Sequence, residues 1–135
     1  MAKIKIGQTE FDMLFNINAL NEIIKKYGGM TQMEKSLLQA KSETESIGAY
    51  IWIITTLINQ AALAHNMDVE MGILVGENSA TITEQYVMAK LRPKDLFSQR
   101  NAVFQTISED SSFETDDEPE EKDEVLAEIE AEKNV

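Results

Sequence analysis

His65 is the one histidine in this chain, and there is no cysteine. The side chains that most often carry nucleophilic, acid–base or metal chemistry are therefore scarce. His65 could act as a general base only if the fold brought it a nucleophile or a carboxylate, and no motif around it supplies either. It falls at the end of an apolar stretch, where a packed imidazole, or one favoured by a helix C-terminus, is the simpler reading. With one histidine and no cysteine, a zinc site has almost nothing to build on. The many carboxylates lack the spaced ligands and central glycine of a calcium loop. Gly28-Gly29 and Gly72…Gly76 have neither a Walker lysine nor dinucleotide-binding spacing, so they read as turns and caps. The expectation is a non-catalytic protein with no cofactor and no metal.

The carboxylates are concentrated at one end. Residues 108–135 hold 13 acidic side chains against Lys122 and Lys133, a net of −11. Residues 1–107 hold 11 acidic and 10 basic side chains, a net of −1. The formal −12 thus describes a near-neutral body with an acidic appendage. That division favours a binding protein over an enzyme. It also argues against nucleic acid or an anionic membrane as a direct partner, since both need positive charge. An acidic inhibitor or DNA mimic is compatible with the arithmetic, although mimics usually spread acids over a folded face. The absence of cysteine fits a reducing compartment, and the N-terminus lacks the apolar core of a secretory signal.

One further pattern could carry binding. Residues 46–67 contain no Asp, Glu, Lys or Arg, a length sufficient to span a bilayer. Thr55, Thr56, Asn59, Gln60 and Asn66 interrupt it and no positive flank orients it, so a buried helix is favoured over a membrane span. At about 100° per residue, Ile47, Ile51, Ile54, Ile58 and Ala61 share one face, broadened by Tyr50 and Leu57. Gly48, Thr55, Thr56, Asn59 and Gln60 lie opposite, with Trp52 and Leu63 projecting to that side. An aromatic among uncharged polar groups resembles the centre of an interface. Trp52, Thr56, Asn59 and Leu63 are therefore the candidate partner-binding residues. The competing reading is that another helix of the same domain covers this face and makes Trp52 core.

The elements that must hold these residues can be read locally. Lys3-Ile4-Lys5-Ile6 and Glu10-Phe11-Asp12-Met13, continued by Phe15, alternate as half-buried strands, with Gly7-Gln8-Thr9 as a hairpin turn. Asn16 or Asn18 caps a helix whose Leu20, Ile23, Ile24 and Tyr27 face inward and whose Glu22 and Lys26 form an i,i+4 pair. Gly28-Gly29 stops it. Thr31 with Glu34 and Ser42 with Glu45 are spaced as capping boxes. The first opens a short helix bearing Met33, Leu37 and Leu38; the second opens the long helix, about 43–66. Residues 68–80 are weakly patterned, and Gly72-Ile73-Leu74-Val75-Gly76 fits either a short buried strand or an apolar loop. Thr83 caps a helix to about Leu91 with Tyr86, Val87 and Leu91 inward. Pro93 opens a last helix carrying Leu96, Phe97, Val103, Phe104 and Ile107. The fold class is mainly α with a short N-terminal β-hairpin (α+β). It divides into a helical domain, 1–107, and an acidic tail, 108–135, expected to be disordered apart from a short terminal helix with Val125, Leu126 and Ile129 on one side.

Lys3-Ile4-Lys5-Ile6-Gly7, Glu10-Phe11, Phe15-Asn16-Ile17-Asn18-Ala19-Leu20 and Tyr27-Gly28-Gly29 resemble the N-termini of tail assembly chaperones of long-tailed bacteriophages. In that family a short hairpin leads into an N-A-L-x-E-like helix that stops at a glycine pair. The later order is also similar: a long apolar helix, a helix from Thr83-Glu84-Gln85, a Pro93-led helix and an acidic tail. The diagnostic residues lie mainly in 3–29 and are structural. The resemblance implies a protein of the infected host's cytoplasm, absent from the mature virion. It would coat the helical tape measure protein and release it as tail tube subunits polymerise. Tail tube protein and self-association are further contacts it allows. Two rivals remain: the acidic inhibitor, whose tail would be the active part, and a minor structural tail component, which calls for more β-structure than the pattern holds.

Overall fold

The computed structural model describes residues 2–39 and 41–111. Strand β1 (Lys3–Ile6) pairs antiparallel with β2 (Thr9–Asp12), followed by helices α1 (Ile17–Tyr27), α2 (Met30–Leu38), α3 (Glu43–Glu70), α4 (Glu84–Lys90) and α5 (Pro93–Ser111). This is the mainly helical architecture with an N-terminal hairpin that the pattern implies. Ile6 opposes Thr9, which leaves a two-residue turn. Gly7 takes a left-handed φ of 62° there, the glycine-first arrangement of tight hairpins. Ile4 and Ile6 point into the core while Lys3 and Lys5 face water. Lys3 reaches Asp12 at 3.4 Å and Glu10 at 3.6 Å across the exposed face, a pair of contacts worth little in water.

The caps follow elementary hydrogen-bond accounting. Asn16 is the N-cap of α1, its side chain accepting from the Ala19 amide at 2.9 Å. Ser42 and Thr83 do the same for the amides of Glu45 and Tyr86. Gly28, at φ 94°, closes α1 by donating to the Ile24 carbonyl. The Thr31–Glu34 box does not form as expected. Gly29, with extended backbone, is the N-cap of α2, and the helix begins at Met30. Thr31 therefore lies inside the first turn, two residues past the capping position.

Helix α3 is the axis of the body. Its 28 residues span about 42 Å at 1.5 Å per residue. Elements α1, α2, α4, α5 and β2 all pack against it. Burial therefore does not stop at the Ile51–Ile54–Ile58 stripe. Ala49, Ile53, Thr55 and Ala62 are also buried. The supposedly polar side is largely covered, and the Thr55 hydroxyl is satisfied by donating to the Ile51 carbonyl at 2.7 Å. Ile47, expected on the core face, is instead 45% exposed. By length and composition α3 could cross a membrane, but 61% of its most apolar window is buried within this body.

Two further corrections concern α1 and α5. The core face of α1 is Ala19 and Ile23, with Tyr27 partly covered; Ile24 is 46% exposed. Glu22 pairs with Lys25 at 3.7 Å and not with Lys26. Helix α5 runs on to Ser111, past the expected boundary at 107, and Asp110 accepts a hydrogen bond from the Phe15 amide at 2.9 Å. The Phe97 side chain and the tail from 112 onward, with its expected disorder and terminal helix, lie outside the described residues.

The inward face of α1 can be tested with adjacent residues. Ile23→Ala should cost about 3 kcal/mol, a transfer term plus an unfilled cavity. Ile24→Ala should cost less than about 1 kcal/mol, since its methyls are already half in water. Denaturant midpoints of the two variants provide the comparison.

Candidate functional site

The four candidate binding residues share α3 but have different surroundings. Trp52 is half-buried against α1: the Tyr27 ring meets it edge-on, centroids 5.6 Å apart at 80°. The Lys26 ammonium lies 5.3 Å from the indole centroid and 5.7 Å from that of Tyr27. This arrangement explains why Lys26 does not pair with Glu22, because the ring quadrupoles attract the cation across the helix face. Burial raises the Tyr27 pKa, with the nearby carboxylates of Glu84 and Glu45 adding to it. Thr56 is half-buried one turn on.

Asn59 is engaged by the chain itself. Its Nδ2 donates to the Ile82 carbonyl at 2.9 Å, and its Oδ1 accepts from the Ile82 amide at 2.8 Å. Two turns later Asn66 repeats the device on Ser79, at 2.9 Å and 2.6 Å. Between them His65 Nε2 donates to the Glu77 carbonyl at 2.8 Å. Three side chains thus fasten the irregular segment 77–82 along α3, replacing the backbone partners that a strand would have supplied. No periodicity marks that segment, so the clamp residues could not be assigned from pattern. The Asn59–Asn66 spacing of two turns is the only hint in the sequence.

His65 is therefore not a C-terminal-turn residue, because α3 continues to Glu70. The fold also brings it carboxylates that sequence spacing did not reveal: Glu10 and Asp12 line the same cleft, with Ser79 and Ala80. Each group is already occupied, His65 Nε2 by Glu77 and both carboxylates by Lys3. Among the described residues no cluster of three or more His, Asp or Glu is placed to hold a metal ion.

Leu63 leads to a different surface. It is 40% exposed, and Met67 and Met71 follow at one-turn intervals at 56% and 72%. The chain then folds back, the amides of Ile73 and Leu74 both donating to the Asp68 carbonyl. Ile73, Leu74 and Val75 are left in solvent, Val75 at 99% exposure. The segment 72–76 is therefore an apolar loop and not a buried strand. With Leu63, Met67 and Met71, it concentrates exposed apolar side chains at the C-terminal end of α3, next to the clamped segment. Such a patch on a small domain is the usual mark of an interaction surface.

The chain matches no protein-family model, no curated protein and no solved structure among those compared.

Two variants separate the roles. Asn59→Ala should cost about 1–2 kcal/mol, because both polar groups of Ile82 lose their partner. Hydrogen exchange should speed up at the Ile82 amide while the α3 core stays protected. Trp52→Ala should lower stability by about 2 kcal/mol through lost aromatic packing on Tyr27, read from the denaturant midpoint.

Proposed function

We propose that this chain is a non-catalytic tail assembly chaperone, which binds the apolar helices of a tape measure protein and keeps them in solution until the tail tube encloses them. The observation that supports this most is the exposed apolar end of α3, formed by Leu63, Met67, Met71, Ile73, Leu74 and Val75. Residues 71–76 contain no charged side chain, so a partner need not strip hydration from ions to bind there. The methionines are unbranched and adaptable, which suits a surface that meets many similar apolar stripes.

Release by a polymerising tube requires contacts that are individually weak. Strength then comes from many copies along one filament, each raising the effective concentration of the next. The net charge of −11 on 108–135 gives the coated filament mutual repulsion and solubility. Trp52 contributes on this reading by fixing α1 on α3, and Leu63 by direct contact. The site of action is the host cytoplasm, with the protein left behind by the mature virion. Contacts with the tail tube protein and between copies accompany the same cycle.

Coexpression with a tape-measure-like apolar helix tests this reading. The native chain should keep the helix in the soluble fraction. Met71→Asp combined with Val75→Asp should weaken binding at least about tenfold, or about 1.4 kcal/mol. The thermal midpoint should hardly change, since both side chains are already solvent-exposed. Equal retention by the double variant would count against the α3 end as the binding surface. Retention by 108–135 alone would favour the acidic-inhibitor reading.

A further inference from the structure

A second apolar surface lies at the other end of α3, and it includes a buried polar group with no partner. Ile47, Ile51, Met88, Leu91 and Pro93 line an open groove between α3, α4 and the start of α5. Ile47 and Leu96 continue it into a neighbouring hollow lined also by Glu43, Ser46, Tyr50 and Arg100. Ile47 and Met88 remain 45% and 57% exposed there.

Tyr50 is only 5% exposed, and its ring is fixed edge-on against Phe104 at 6.5 Å. Its hydroxyl is buried and finds no hydrogen-bond partner among the described residues. An unmade buried bond of this kind is destabilising, and a bound group could relieve it. Burial raises the Tyr50 pKa, and the Arg100 guanidinium partly offsets this by its charge and by a loose donor contact that falls short of hydrogen-bond geometry. A phenol O–H and a guanidinium together form a seat for a carboxylate, since both can donate to it. Arg92 adds a second cation to the rim, although Asp95 holds it at 2.9 Å. Glu43 is the opposing charge in the lining.

From the groove's apolar floor, its cationic rim and the unpartnered Tyr50 hydroxyl, we infer that it takes the chain's own acidic C-terminal segment. Val125, Leu126 and Ile129 enter the floor, and a neighbouring glutamate accepts from Tyr50 and Arg100. The sequence supplies both chemistries in one stretch, with Glu121, Glu124 and Glu128 flanking the three apolar residues. Reach is sufficient. Leu96 lies about 22 Å back along α5 from Ser111, and residues 112–124 can extend about 43 Å. Tethering favours this occupant over a free one, because a linker of that length sets an effective concentration of about millimolar. The acidic segment then fills the groove as well as supplying solubilising charge. This inference is independent of what binds the far end of α3.

Paramagnetic relaxation in the full chain tests it. The chain has no cysteine, so Ala127→Cys gives a single nitroxide site. The label should quench the methyl signals of Ile47, Met88 and Leu96 and spare Ile17 and Ile73, which are more exposed. Adding Tyr50→Phe and Arg100→Gln should restore the quenched signals, while Tyr50→Phe alone should leave the thermal midpoint unchanged. Uniform quenching, quenching centred on Ile73, or persistence in the double variant would overturn the inference. So would quenching that passes from a labelled chain to a separate isotope-labelled copy, which would assign the groove to a second molecule.

Discussion

Over its middle turns α3 buries a broad apolar face away from water, and each neighbouring element is arranged around that constraint. Ile53, Ile54, Leu57 and Ile58 are at most 2% exposed, so a charge on this stretch would be buried without a partner at a cost of several kcal/mol. The uncharged run is the sequence record of that environment. Three polar side chains of these turns are satisfied within the fold. Thr55 bonds its own helix, Gln60 accepts from Asn16, and Asn59 holds Ile82. Even the Leu57 carbonyl receives an additional donor, the Leu14 amide, which secures the segment after the hairpin.

The same constraint divides the surface. Toward its C-terminal end α3 mixes Asp68 and Glu70 with apolar residues and loses its cover, which exposes Met67, Met71 and the loop to Val75. Near its start, α4 and α5 diverge enough to leave Ile47 and Met88 lining a groove. The central turns are largely taken up by internal packing, and the side that carries Trp52 is half-buried. Exposed apolar side chains are therefore concentrated toward the two ends of the helix.

Local chemistry was readable in the sequence because it depends on neighbours a few residues away. The Gly7 turn, the caps at Asn16, Ser42 and Thr83, the Gly28 stop and the Pro93 start all formed as their spacing implied. Facing was readable only in part. Ile23 and Ile24 differ by 100° on a helix, and apolar periodicity alone did not show that Ala19 and Ile23 define the inward face. The polar side of α3 looked open because Asn59 and Thr55 are satisfied by bonds that no composition reveals. Asn59 depends on Ile82, which is distant in sequence and lies in a segment without period. Tyr50 read as core, and it is core; its unpartnered hydroxyl is a property of the assembled fold.

The proposed function requires the chain to hold an apolar helix through the exposed end of α3. Hydrogen exchange of the full chain, with and without a tape-measure-like helical peptide, tests this. Slower exchange confined to residues 67–76 is expected on adding the peptide, with the α1–α3 contact at Trp52 unchanged. Protection that falls instead on 108–135, or on the Trp52 turn alone, would contradict it.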